Sequence, residues 1–130
     1  RFPGLRDKRL NTIKRYDDAF KPLGLQSLDH FNHDYLGNGH LYLARVPGIT
    51  KNQRGMMIRK MAEKGVACNV HFQPLPLLTA YKQMGFDIKQ FPNAFKQYEN
   101  EITLPSHTLL CTEEVEYIVS SVQDVLKDLI

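Results

Sequence analysis

Residues 40–72 read HLYLARVPGITKNQRGMMIRKMAEKGVACNVHF, and the order of elements in this stretch decides the fold class. His40 to Val46 has the aromatic and β-branched content of a strand, and Pro47-Gly48 ends it with a turn. Thr50 is placed to open a helix, because its hydroxyl can accept from an orphan backbone N–H while Gln53 reaches back to form a reciprocal cap. Met57, Ile58, Met61 and Ala62 then supply a buried stripe, and Gly65 a left-handed terminus. Val66 to Phe72 alternates as a second strand, which assigns Val66, Cys68, Val70 and Phe72 to the core face and Ala67, Asn69 and His71 to the other.

Upstream, Leu10, Ile13, Tyr16 and Phe20 recur at helical steps through Leu5 to Phe20, and Pro22 and Gly24 stop that helix. Residues 25–39 lack a sustained period and read as a loop or irregular strand connection. Downstream, Pro74 and Pro76 break the chain before a short helix at Leu77 to Met84 that ends at Gly85. Pro92 to Asn100 reads as another helix, and Ile102 to Leu104 as a short strand stopped by Pro105. Thr112 opens a last helix along which Val115, Ile118, Val119, Val122, Leu126 and Leu129 trace a regular apolar stripe. This order predicts an α+β, two-layer small domain in which a short, mainly antiparallel sheet is covered on one face by helices.

The 130 residues, 42% hydrophobic and 24% charged, suit one globular domain spanning residues 1–130. The first residue is Arg1, with no initiator methionine, so a processed chain or a piece of a longer one is expected. No apolar run approaches bilayer length and no secretory leader is visible, which predicts a soluble, cytoplasmic setting without membrane partners. The net charge of +3 is modest, and the basic stretch Arg6 to Arg15 is interrupted by Asp7, so no nucleic-acid partner is expected. Cys68 and Cys111 sit among apolar neighbours and read as reduced core residues.

His30, His33 and His40 raise a metal site, but they lie in an irregular stretch without a cysteine partner, and no metal is predicted. Cys111 has no histidine paired with it by a local signature, and no glycine-rich phosphate cradle is present. His71 stands out, because it closes a predicted strand, points off the core face and runs into the stiff loop QPLP. Asn69, on the same face, is a weaker candidate.

Residues 65–119 resemble the C-terminal part of the DegT/DnrJ/StrS family of sugar aminotransferases. The resemblance rests on the His-aromatic-x-Pro segment within Gly65 to Pro74, the Phe-Pro-Asn-Ala helix start at Phe91 to Ala94, and a Leu-Pro turn before Thr-Glu-Glu-Val-Glu-Tyr, Leu104 to Tyr117. RFPGLRDKR and RYDDAF look like the helix leaving the family's large domain, which makes residues 1–21 that helix.

The resemblance implies the C-terminal domain of a pyridoxal-phosphate-dependent enzyme of aspartate-aminotransferase fold. Such an enzyme moves an amino group from glutamate to a nucleotide-linked keto sugar, for amino-sugar or surface-polysaccharide biosynthesis, and works as a homodimer. On this reading the Schiff-base lysine belongs to a large domain outside the chain. No residue here is catalytic or binds the cofactor, and the chain alone is expected to be inactive. His71 is expected to contact the sugar nucleotide, through a sugar hydroxyl or the diphosphate, with Asn69 beside it. Many relatives carry a further histidine where this chain has Pro76, which puts a second imidazole contact in doubt. The competing reading is a non-catalytic binding or assembly module with the same small-domain fold.

Overall fold

The computed structural model describes residues 2–30 and 32–129. The elements run α1 (Phe2–Phe20), β1 (Gln26–Ser27), β2 (Tyr42–Arg45), α2 (Lys51–Glu63), α3 (Thr79–Gln83), α4 (Pro92–Glu99), β3 (Glu101–Leu104) and α5 (Thr112–Lys127). The three strands form one antiparallel sheet in the order β1-β2-β3, with Gln26 opposite Arg45 and Tyr42 opposite Leu104. No helix among the described residues is long and apolar enough to cross a membrane.

Strand pleat and helix stripe meet in one core. Tyr42 and Ala44 of β2 are buried, while Leu43 and Arg45, on the other face, are half-buried. Against the buried face lie Ile13, Tyr16 and Phe20 of α1, Met57 and Met61 of α2, and Ile118, Val122 and Val125 of α5. Each such side chain contributes about 1.5–3 kcal/mol on leaving water. The Tyr16 hydroxyl, carried into this core, donates to the Pro105 carbonyl at 2.7 Å. An exposed Arg15–Glu116 pair also links α1 to α5.

The caps follow the sequence closely. Thr50 accepts from the Gln53 N–H at 3.3 Å, and its own N–H donates to Gln53 Oε1 at 2.9 Å, a reciprocal pair that fixes the start of α2. Gly65, at φ 76°, supplies the left-handed exit. Helix α5 begins at Thr112 as expected, but its cap is Cys111, whose N–H donates to Glu114 Oε2 at 2.9 Å.

Several local expectations are corrected. Residues 66–72 do not form a strand: only Asn69 pairs, with Thr103, because the next two backbone donors are captured by side chains. The Val70 N–H goes to Asn69 Oδ1 at 2.8 Å, and the His71 N–H to Glu101 Oε2 at 3.0 Å. Phe72, placed on the core face by alternation, is 75% exposed, since no ladder holds the alternation that far. Ala62 is exposed, and Arg54 is buried on α2 beside Met57 and Met61 instead, its guanidinium 4.7 Å from the centre of the Tyr98 ring. Cys111 is exposed at the helix mouth, not in the core, whereas Cys68 is half-buried and packs against the core as expected. Within the segment read as a loop or strand connection, Gln26–Ser27 forms the short edge strand β1.

From Ala67 to Gln97 no residue is buried, although the stretch holds Leu75, Leu78, Met84, Phe86 and Phe91. It forms an arm of short helical turns, joined to the core at the Asn69–Thr103 bridge.

Candidate functional site

The join between arm and sheet forms a cleft of about 280 Å³. Its walls include Arg9 of α1, His40 before β2, Asn69 and His71 of the arm, Thr103 of β3, and His107 beyond it. One cation and three imidazoles converge there, and none of these lining residues is acidic, so the cleft suits an anionic or polyhydroxylated ligand. Arg9 Nε is buried and has no hydrogen-bond partner among the described residues. Gly39 lets the loop before β2 approach α1: at φ 64°, a Cβ there would lie 2.9 Å from Arg9 Cβ.

His71 and Asn69, the two residues singled out from the sequence, are brought together in this cleft. Asn69 is fixed by its backbone, whose N–H donates to the Thr103 carbonyl at 3.2 Å and whose carbonyl accepts from the Thr103 N–H at 2.8 Å. The His71 ring is fixed by its Nδ1, which lies 2.8 Å from Thr103 Oγ1. Thr103 in turn donates to Glu101 Oε1 at 2.6 Å. Glu101 is 1% exposed, and burial pushes its pKa above the ordinary carboxylate value, opposed by the bonds it accepts from Thr103 and the His71 backbone. The peptide between His71 and Phe72 is cis.

Sequence reasoning missed Arg9, Thr103, Glu101 and His107. Glu101 and Thr103 sit two apart on β3, so strand periodicity puts them on one face, but nothing local shows that His71 lies over it. A neighbouring depression of about 650 Å³ shares Ala67, Pro105 and His107 with the cleft; its other walls include Leu110, Tyr117 and Ile118, and neither Asn69 nor His71 lines it.

The three histidines weighed for a metal are spread apart in role. His30 stacks on Tyr42 with ring centres 6.1 Å apart, and its pKa is lowered chiefly by burial. His33 is exposed beside Asp34 at 3.0 Å, and His40 lines the cleft. Among the described residues no group of three potential ligands is placed to hold a metal ion.

Comparison with known proteins bears on what such a domain belongs to. The family model for DegT/DnrJ/EryC1/StrS aminotransferases matches residues 1–123. A Streptococcus pneumoniae protein assigned as a sugar aminotransferase, Spr1654, superposes in its PMP form with a TM-score of 0.96 at 42% identity, covering 100% of this chain and 33% of that one. Helicobacter pylori PseC, an aminotransferase involved in the biosynthesis of pseudoaminic acid, superposes with a TM-score of 0.86 at 26% identity, covering 97% of this chain and 34% of PseC. The spore coat polysaccharide biosynthesis protein SpsC of Bacillus subtilis is 28% identical over 134 aligned positions, 98% of this chain and 33% of SpsC. The chain thus spans about a third of the length of these relatives. With a family match over nearly every residue and a fold shared with sugar aminotransferases, the chain belongs to the DegT/DnrJ/EryC1/StrS aminotransferase family.

Proposed function

We propose that this chain is the C-terminal domain of a pyridoxal-phosphate-dependent aminotransferase that moves an amino group from glutamate to a nucleotide-linked keto sugar, in amino-sugar or surface-polysaccharide biosynthesis. The carrying observation is the cleft at the arm–sheet join, where His71 and Asn69 face Arg9 across a space without carboxylates. A nucleotide sugar combines an anionic diphosphate with hydroxyls, which is the chemistry such a lining receives: guanidinium for phosphate, imidazole and amide for hydroxyl. The names of relatives support the sugar, and the PLP and PMP forms of the Streptococcus pneumoniae protein support the cofactor.

The residues present do not fit a cofactor-holding site. A lysine that bonds the cofactor must be lowered in pKa inside a pocket, yet none of the lysines here is buried, and Lys14, Lys21, Lys60, Lys64 and Lys127 are engaged with aspartates. The lysine and the cofactor therefore belong, on this proposal, to a large domain preceding residues 1–21, and the present domain orients the sugar over them. The whole enzyme works in the cytoplasm as a homodimer.

The test is an assay of the whole protein with glutamate and a UDP-linked keto sugar, following 2-oxoglutarate release. His71→Ala is expected to raise KM for the sugar roughly tenfold, the loss of one ligand hydrogen bond, with a smaller change in KM for glutamate. Binding of the nucleotide sugar without release of 2-oxoglutarate would replace this proposal by the non-catalytic module.

A further inference from the structure

His71 has two ring nitrogens, and the hydrogen bonds beneath the ring decide which one meets the cleft with a proton. Thr103 Oγ1 lies 2.6 Å from Glu101 Oε1 and 2.8 Å from His71 Nδ1. A hydroxyl has a single hydrogen. When Thr103 gives it to the Glu101 carboxylate, only lone pairs face Nδ1, and a bond at that distance requires Nδ1 to carry the proton. Neutral imidazole has one N–H, so Nε2 is then left as a bare acceptor. Among the described residues Nε2 has no protein partner, and the ring lines the cleft.

The direction of the relay depends on the charge of Glu101. A protonated Glu101 would donate to Thr103, Thr103 would donate to Nδ1, and Nε2 would carry the hydrogen. Three groups favour the carboxylate. The His71 N–H donates to Oε2 at 3.0 Å, the Thr103 hydroxyl approaches Oε1, and the guanidinium of Arg54, which is 5% exposed with Nη1 unpartnered among the described residues, attracts the charge. Burial opposes them and outweighs them, leaving the Glu101 pKa above the ordinary carboxylate value, so the relay runs in this sense while Glu101 is ionised. The remaining charged or titratable groups lining the cleft are Arg9 from α1, His40 before β2 and His107 after β3; none bonds to the Glu101–Thr103 pair.

We propose that Glu101, acting through Thr103, holds neutral His71 with its proton on Nδ1, so that Nε2 accepts a hydrogen bond from a ligand hydroxyl and does not donate to a phosphate. Glu101 and Thr103 are positioning residues on this view, and the identity of the ligand rests on the function proposed above. The relay chooses between the two contacts open to His71: the sugar is its partner, and the diphosphate falls to Arg9.

The experiment is two-bond ¹H–¹⁵N correlation on the whole protein labelled with ¹⁵N-histidine, at a pH where His71 is neutral, with His71→Gln identifying the signals. The wild type is expected to show Nδ1–H, and Thr103→Ser, which keeps the hydroxyl, to retain it. Thr103→Val and Glu101→Leu are expected to shift the tautomer ratio toward Nε2–H by roughly fivefold to tenfold, the worth of one hydrogen bond. Nε2–H in the wild type would overturn the relay even if the buried variants failed to fold, as would an unchanged ratio in Thr103→Val.

Calorimetric titration with UDP-N-acetylglucosamine and with UDP reads the ligand side. Thr103→Val is expected to weaken the sugar nucleotide roughly fivefold and leave UDP unchanged. Equal weakening of both would overturn the hydroxyl contact. Wild-type protein that shows Nδ1–H but binds neither nucleotide would count against the proposed function and its ligand, while the relay stood.

Discussion

Tyr42 of β2 donates its phenolic hydrogen to Asp17 Oδ1 of α1 across 2.9 Å, inside the core. Asp17 also accepts from Ser27 Oγ at 2.8 Å and from Lys21 Nζ at 2.8 Å, so one carboxylate ties α1 to both β1 and β2. Burial, reinforced by the Asp17 charge, raises the Tyr42 pKa, which keeps the hydroxyl a donor. Tyr42→Phe keeps the ring but leaves a buried charge one donor short, and is expected to lower stability by about 1.5–3 kcal/mol. A urea midpoint that falls with unchanged slope would show it; an unmoved midpoint would contradict it.

Core and arm are expected to respond to the same change very differently. Met57 is fully buried, and Met57→Ala should destabilise by roughly 2–5 kcal/mol through lost transfer energy and a cavity. Met84 is 70% exposed, and Met84→Ala should stay within about 0.5 kcal/mol. Equal shifts in thermal midpoint would mean that the arm packs into the core after all.

The buried acid gives stability a pH dependence of known sign. Glu101 binds its proton more tightly in the folded chain than in the unfolded one, so its contribution is greatest below the ordinary carboxylate pKa and is lost as pH rises through the elevated folded value. The exposed Glu116 and Asp128, held low by Arg15 and Lys60, act in the opposite sense in acid. Comparison with Glu101→Gln isolates the buried group. The midpoint of the wild type minus that of the variant should increase as pH falls from neutral toward the carboxylate range, and a difference that is flat with pH would contradict this.

The two thiols should react in a fixed order. Cys111 is exposed at the mouth of α5, whereas Cys68 is half-buried and burial pushes its pKa up to about 12. Iodoacetamide at neutral pH is expected to label Cys111 first in the native protein, and Cys68 at a comparable rate only after unfolding. Mass spectrometry of timed digests reads the order directly.

What the sequence shows well is whatever depends on neighbours along the chain. The stripe of α5 from Val115 to Leu126 and the triad Ile13, Tyr16 and Phe20 are buried where period alone puts them, and the Thr50–Gln53 cap forms as written. Strand reasoning failed at residues 66–72, since alternation describes a ladder and here side chains intercept the backbone donors. The two residues of β1 carry too little pattern to be recognised. His71 was visible through its loop, but its surroundings were not: Arg9, Thr103 and His107 approach it only through the packing of α1 and β3. Cys111 misled because apolar neighbours in sequence are not neighbours in space when the residue caps a helix.

Holding together and facing outward fall to separate parts of this molecule. Exposed side chains between Ala67 and Gln97, such as Phe72, Leu75 and Met84, can be changed with little effect on whether the rest folds, and screens that score only melting would pass over them. The Asn69–Thr103 bridge, where this stretch meets β3, is also where His71 is aimed, so a change that loosens the arm at Asn69 would misdirect the imidazole long before it unfolded anything.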